Sequence, residues 1–318
     1  MSHSVLLYEP DKPTDLEVYA HGLAEALPGL RIFSCATLAD AMATAPSASV
    51  LLAKAQNVRA ELVAAMPRLA WIQALTTGVD PLLALRLPPG TVVTSARGIH
   101  GPQMAELTVL LMLALARDLP RMLENQRAGR WQRWGQPLLE GRTLVIVGVG
   151  VISEALALRC KAFGLRIIGI SGRAGAPGFD DIWPRTRLHE AAGIADFLVV
   201  LIPYSPQTHH LVDAGVLAAM KREAYLINVA RGGVVDEAAL IEALRARRIA
   251  GAGLDVFATE PLPTTSPLWA MDNVIVTPHI GGLSDVYAEQ LLPLLVANVG
   301  AFIAGNPDAL QNRVVLHK

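Results

Sequence analysis

Cysteine is scarce: the 318 residues contain two, Cys35 and Cys160, far apart and in no CxxC pair. That argues against a disulfide framework and fits a reducing, cytoplasmic setting. Charge is scarce too. Asp, Glu, Lys and Arg make up 17% of the chain and the formal net charge is −1, so no global basic field recruits nucleic acid or an anionic membrane. The one basic cluster, Arg245, Arg247 and Arg248, reads as a solvated helix end. The opening MSHSVLLYEP has no basic stretch followed by an apolar core and so does not resemble a secretory signal. The longest apolar stretch, residues 107–116, is too short to span a bilayer and is flanked by Glu106 and Arg117. It reads as a buried helix, or alternatively as a helix covered in part by a second subunit.

Hydrophobic residues are plentiful, at 52%, which is enough for a compact chain of two domains. There is no repeat of solenoid period and no low-complexity tract. Short apolar runs at 5–8, 31–33, 50–53, 71–74 and 92–94 alternate with helical patterns. This is the signature of a parallel sheet covered by helices. A helix is expected over 102–117, followed by a polar stretch, 127–136, with two tryptophans. A second α/β series then offers strands at 143–147, 166–170, 197–202, 225–228, 252–256 and 274–277, six in all, the number of a complete dinucleotide-binding sheet. A long helix is expected over 285–305 and a strand or tail at 314–316. The expected fold class is α/β, with two doubly wound parallel-sheet domains. A Rossmann cofactor domain, 98–284, is inserted in a substrate domain made of 1–97 and 285–318, and a ligand is expected in the cleft between them.

The strand at 143–147 runs into Gly148-Val149-Gly150-Val151-Ile152-Ser153 and then directly into a helical pattern. Gly148 permits a tight turn, and Gly150 lets the backbone approach a pyrophosphate that faces the helix amino terminus. Ser153 stands where a third glycine is usual, as the next smallest polar choice. The second strand of the series ends in Ser171-Gly172-Arg173, without the acid that would bond both ribose hydroxyls of NAD. A hydroxyl and an arginine suit a 2′-phosphate instead. NADP(H) is therefore the expected cofactor, with NAD(H) also admitted. The competing reading makes Arg173 a solvated loop charge.

Three further motifs stand at strand ends: Asn228-Val229-Ala230-Arg231-Gly232-Gly233, Gly253-Leu254-Asp255-Val256-Phe257 running on to Glu260-Pro261-Leu262, and Thr277-Pro278-His279-Ile280-Gly281-Gly282. Ligands in open α/β sheets bind at the carboxyl ends of the strands, where these side chains can converge. Reduction of a 2-oxo acid needs a cation for the carboxylate, an acid for the carbonyl oxygen and a hydride. Arg231 offers a planar fork. His279 titrates near neutrality, and Glu260 on its far nitrogen would fix the tautomer and raise its pKa. Taken singly each has a bland reading, as a surface charge, a turn histidine or a loop acid. The set in this order favours catalysis. No metal site is expected.

These motifs, with Leu201-Ile202-Pro203-Tyr204-Ser205-Pro206-Gln207-Thr208 and Met104-Ala105-Glu106-Leu107-Thr108, resemble the D-isomer-specific 2-hydroxyacid dehydrogenase family over about residues 71–312. The resemblance implies a flavodoxin-like substrate domain, a Rossmann cofactor domain and a homodimer. It also implies reduction of a small 2-oxo acid, of glyoxylate or hydroxypyruvate type, to the D-2-hydroxy acid. By that resemblance Arg231 binds substrate, Glu260 orients His279, and His279 donates the proton. Asp255 holds the nicotinamide carboxamide. Pro203 and Thr208 line the adenine side, Ala230 lies on the nicotinamide ribose side, and Val229, Gly281 and Gly282 are further cofactor contacts. Thr77, Gly78 and Val79, in Thr76-Thr77-Gly78-Val79-Asp80, meet the substrate carboxylate through backbone amides. With the long helix near the end of the sequence, no appended regulatory domain is expected, unlike in the long phosphoglycerate dehydrogenases.

The substrate side-chain pocket is expected from residues 52–55 and 76–79. Trp134 reads as packing, or as a contribution from a neighbouring subunit. Lys54 reads equally as a positive charge in the cleft or as an exposed loop lysine. Two other functions stay open: a nucleotide-sensing, corepressor-like protein on the same fold, and a dehydrogenase of another small acid such as phosphite or formate.

Overall fold

The computed structural model describes residues 4–315, which form two compact units. Within the described residues the first comprises 4–99 and 284–315 and the second His100–Leu283.

The first unit holds a five-stranded parallel sheet of β1 (Ser4–Tyr8), β2 (Arg31–Cys35), β3 (Val50–Ala53), β4 (Trp71–Ala74) and β5 (Val92–Thr94), in the order β2-β1-β3-β4-β5. β1, β3 and β4 are buried throughout, as parallel strands covered on both faces must be, whereas the edge strand β2 is largely open. The period-two alternation of strand side chains divides the core. Val5 and Leu7 join Tyr19, Leu23, Trp71, Leu291 and Leu295 on one face, and Leu6 joins Leu51, Leu62, Met66 and Ile72 on the other. Helix Tyr287–Ile303 is bound to the sheet by a buried polar chain as well as by packing. Trp71 Nε1 donates to Thr94 Oγ1 (2.9 Å), Thr94 Oγ1 to Gln73 Oε1 (2.7 Å), and Asn298 Nδ2 to the same Gln73 oxygen (2.8 Å). Beyond it come a 3-10 turn, Pro307–Ala309, and an isolated antiparallel bridge of Arg313 with Thr94. Leu316, the end of the stretch expected at 314–316, lies outside the described residues.

The second unit holds seven parallel strands: β6 (Thr143–Val147), β7 (Arg166–Ile170), β8 (Asp181–Trp183), β9 (Phe197–Val200), β10 (Tyr225–Asn228), β11 (Gly251–Leu254) and β12 (Val274–Val276). Their order is β12-β11-β10-β9-β6-β7-β8. The sequence pattern gives six because β8 is an edge strand that begins with the exposed Asp181 and so does not read as an apolar run. It also runs β9 and β11 two residues too far, since the apolar Leu201, Ile202 and Val256 continue past the last paired residue. Helix Gly101–Ala116 packs on helix Val151–Lys161 and buries Met104, Ala105, Leu111, Met112 and Leu115. It leaves Leu110 55% exposed, so the apolar surface is covered on most sides but not all. Among the described residues no helix is long and apolar enough to cross a membrane. Because every strand is parallel, the carboxyl ends of β6, β7, β9, β10, β11 and β12 share one edge.

Candidate active site

At the end of β6 the chain turns at Gly148, whose φ is +100°. A Cβ there would lie 2.8 Å from the Leu201 carbonyl oxygen and 2.9 Å from the Ile202 nitrogen, so only glycine lets these two loops touch. Gly150 caps helix Val151–Lys161 with extended backbone and open space around its Cβ direction, a cradle that a side chain would fill. Val149 and Ile152 are half-buried on either side, and Val151 is exposed. Ser153 is buried, and its hydroxyl donates to the Gly148 carbonyl (2.6 Å). The residue that departs from the glycine pattern therefore stitches the turn closed. These features fit a dinucleotide pyrophosphate.

Beyond β7, Ser171 accepts the Arg173 N–H (3.3 Å), and Gly172 has open space on its Cβ side. Arg173 Nη1 is engaged by Glu154 Oε1 at 2.6 Å, from the first turn of the helix that begins at Val151. After β9, Pro203 is exposed while Thr208 is buried. The Thr208 hydroxyl donates to the Pro203 carbonyl (2.9 Å) and accepts the Ser205 N–H (2.7 Å), so it shapes the loop from within.

Arg231 follows β10 and is positioned by Asn228, a residue the motif reading passed over. The buried Asn228 side chain accepts the Ala230 N–H (3.2 Å) and donates to the Arg231 carbonyl (3.2 Å). Arg231 Nη1 donates to the Ala230 carbonyl (2.7 Å). Val229 is buried in the core, so its contribution is backbone. A Cβ on Gly232 would fall 1.9 Å from the Phe257 carbonyl carbon, so this glycine lets the Arg231 loop lie directly on the loop that leads to Glu260.

Glu260 Oε1 accepts the Phe257 N–H (3.0 Å), and Oε2 meets His279 Nδ1 at 2.6 Å. His279 has φ +54°, a left-handed conformation uncommon for a residue with a side chain. Asp255, 1% exposed, fixes it from below. The Asp255 carboxylate accepts the Thr277 hydroxyl (2.6 Å) and the N–H groups of Ile280 (3.0 Å) and Gly281 (2.9 Å). Gly282 packs beside His100, a buried residue absent from the sequence-based candidates. Its only sequence signal is its place just before helix Gly101–Ala116.

The electrostatics follow from these contacts. The Glu260 hydrogen bond raises the His279 pKa, against burial and the Arg231 charge. Burial alone would raise the Glu260 pKa, but the His279 and Phe257 hydrogen bonds, with the His279 and Arg231 charges, bring it below the usual range. Burial, then Arg231, takes His100 down to about 4, so it is neutral at physiological pH. The Arg231 charge thus bears on all three groups. With Nδ1 committed to Glu260, His279 keeps Nε2 for a ligand.

Thr77, Gly78 and Val79 belong to the first unit, at the carboxyl end of β4, where the Thr76 hydroxyl donates to the Gly78 carbonyl (2.8 Å). The Arg121 guanidinium lies 4.3 Å from the Trp134 ring centroid, a packing role within the chain. Among the described residues no group of three His, Cys, Asp or Glu side chains is placed to hold a metal. A hollow of about 480 Å³, lined by Arg142, Phe197, Tyr225 and Ile249 among others, lies at the amino-terminal edge of the second sheet, away from this constellation.

Residues 109–281 match the model of the D-isomer specific 2-hydroxyacid dehydrogenase NAD binding domain. A glyoxylate reductase of Thermococcus onnurineus is 35% identical over 82% of each chain. A D-3-phosphoglycerate dehydrogenase of Methanocaldococcus jannaschii is 33% identical over 81% of this chain, which spans about half (52%) of that relative's length. Among solved structures, a D-isomer specific 2-hydroxyacid dehydrogenase family protein of Aeromonas salmonicida superposes over 100% of both chains with TM-score 0.90 at 35% identity. An NADPH-dependent glyoxylate/hydroxypyruvate reductase of Sinorhizobium meliloti, in complex with NADP and sulfate, has TM-score 0.84 at 28% identity over 98% of both.

Proposed function

Because the chain belongs to the D-isomer specific 2-hydroxyacid dehydrogenase family, we propose that it is an NADPH-preferring reductase of small 2-oxo acids, of glyoxylate or hydroxypyruvate type. The observation that carries this reading is the 2.6 Å contact of His279 with Glu260 under the influence of the Arg231 charge, at the carboxyl edge of a dinucleotide-type sheet.

When bound, the nicotinamide cofactor supplies the hydride. Arg231 holds the substrate carboxylate with a charge-assisted fork. In the first unit, taken by itself, the 76–79 loop offers the backbone amides of Thr77, Gly78 and Val79 to a substrate carboxylate. His279 gives its Nε2 proton to the carbonyl oxygen as carbon accepts the hydride, which yields the D-2-hydroxy acid. Glu260 keeps the imidazole protonated beforehand and stabilises it in place. In the oxidative direction neutral His279 accepts the proton. Gly148 to Ile152 cradle the pyrophosphate, Pro203 and Thr208 border the adenine, and Asp255, Ala230, Gly281 and Gly282 bound the nicotinamide end. Ser171, Gly172 and Arg173 receive the 2′-phosphate, and the Glu154 contact moderates the preference by partly neutralising Arg173.

The protein acts in the cytoplasm as a homodimer in this reading. Support for pairing comes from Trp131, 95% exposed, with Leu110, Leu123 and Leu138, each more than 40% exposed, in one stretch of the second unit. A panel of 2-oxo acids assayed with NADPH and NADH at the nicotinamide absorbance tests the proposal. Turnover of glyoxylate or hydroxypyruvate with NADPH ahead of NADH is expected. Cofactor binding with no turnover of any 2-oxo acid would favour a nucleotide sensor.

A further inference from the structure

Lys54 is neither a free charge nor an exposed loop residue. It follows β3, and Glu9 follows β1, the neighbouring strand at which the sheet order reverses. Such a switch point is where ligands of open α/β sheets bind. Glu9 is fully buried. Its Oε1 accepts the N–H groups of Asp11 (2.9 Å) and Lys12 (3.3 Å) and lies 3.1 Å from Lys54 Nζ. Its Oε2 is buried without a hydrogen-bond partner among the described residues. The Lys54 side chain is 15% exposed, and its ammonium also meets Asp11 Oδ2 at 3.3 Å, an oxygen that Asn57 Nδ2 bonds at 2.9 Å. One cation is therefore shared by two acids. The cluster carries no net positive charge whether Glu9 is ionised or protonated.

The cluster adjoins the 76–79 loop. Ala55, next to Lys54, donates its N–H to Thr76 Oγ1 (3.4 Å), and that hydroxyl donates to the Gly78 carbonyl. We propose that Glu9, Asp11 and Lys54 form a charge filter that confines the substrate to 2-oxo acids whose remainder is uncharged. The inference rests on the reading above, in which this loop receives the substrate carboxylate. A free lysine beside that loop would attract a second carboxylate or a phosphate. Here the ammonium is already satisfied, and Asp11, 47% exposed, presents the outermost charge of the cluster, a negative one. A second anion meets an ammonium already shared by two acids, a neighbouring Lys12 already paired with Asp15 at 2.9 Å, and the repulsion of Asp11. A hydrogen or hydroxymethyl group meets neither. The filter separates this chain by chemistry from enzymes that handle phosphorylated or dicarboxylic substrates.

The test measures kcat/KM with the full chain and NADPH for glyoxylate, hydroxypyruvate, oxaloacetate and 3-phosphohydroxypyruvate. The wild type is expected to favour the first two by at least about tenfold. Asp11→Asn and Glu9→Gln each remove one acid. Both are expected to raise the oxaloacetate-to-glyoxylate ratio several-fold, through KM rather than kcat, with the gain shrinking as salt is added. Asp11 is exposed, so Asp11→Asn retains the fold, which circular dichroism checks. Equal use of oxaloacetate and glyoxylate by the wild type, or a ratio that neither variant moves, overturns the filter. Failure to reduce any 2-oxo acid instead overturns the reading it rests on.

Discussion

The carboxyl edges of the two sheets both carry acids and a base, in opposite arrangements. In the first unit Glu9 is sealed from water and Lys54 nearly so, and the Lys54 ammonium is shared with Asp11. In the second, Glu260 and His279 pair with side chains 35% and 45% exposed, close enough to solvent for the proton to come and go. A buried pair is costly to form and rigid once formed, so it suits selection by shape and charge. A half-exposed pair whose members shift each other's pKa suits proton transfer at neutral pH. An acid paired with a base beyond the carboxyl edge of a parallel sheet thus suits exclusion in one unit and chemistry in the other, according to burial.

The sharpest way to break this comparison is at the second edge. His279→Ala is expected to lower kcat by a factor on the order of 10²–10⁴, with cofactor affinity retained. Full turnover in that variant would remove the imidazole from the reaction. Arg231→Ala is expected to lower kcat/KM for the oxo acid by about 10²–10³, the usual cost of losing one member of a charge-assisted pair, while NADPH titration by fluorescence changes little. Equal losses in both measurements would make Arg231 a structural residue.

A smaller effect sharpens the role of burial. Reduction needs protonated His279, whose pKa is raised chiefly by the Glu260 hydrogen bond. Activity in this direction therefore persists above the ordinary histidine range and declines as pH rises through the raised value. Glu260→Gln is expected to move that decline to lower pH, read from the pH profile of kcat/KM. An inflection that stays put would show that the contact does not set the proton donor. The smallest effects concern the cofactor. Ser171→Asp is expected to turn the preference towards NADH, and Glu154→Gln to tighten NADPH binding a few-fold while leaving NADH unchanged, as one surface charge contact allows. Isothermal titration with both cofactors checks each.

Much of this architecture was legible in the sequence because parallel strands buried on both faces read as unbroken apolar runs. Strands β3, β4, β5, β6, β7 and β10 fall where those runs do. Strand β8 escaped because it is an edge strand opening on an exposed Asp181 and offers no apolar run. In the site, Arg231, Glu260 and His279 stand out since each is a charged or titratable residue among apolar and glycine neighbours at a strand end. Asn228 and His100 did not stand out, and Ser153 did so only as a departure from the glycine pattern, because their importance lies in which backbone groups or charges they meet across the fold. Spacing along the chain does not encode those meetings. Lys54 was ambiguous for the same reason: its partners Glu9 and Asp11 are more than forty positions away.

Asp255 gathers three donors from the segment that bears His279, and it does so from the interior. The imidazole tip stands in the open while the backbone beside its root is clamped at several points and Glu260 holds the ring. Changes elsewhere on the rim can then alter which molecules are admitted without retuning the proton donor. A scaffold wired this way lets appetite drift across generations while the chemical act stays fixed.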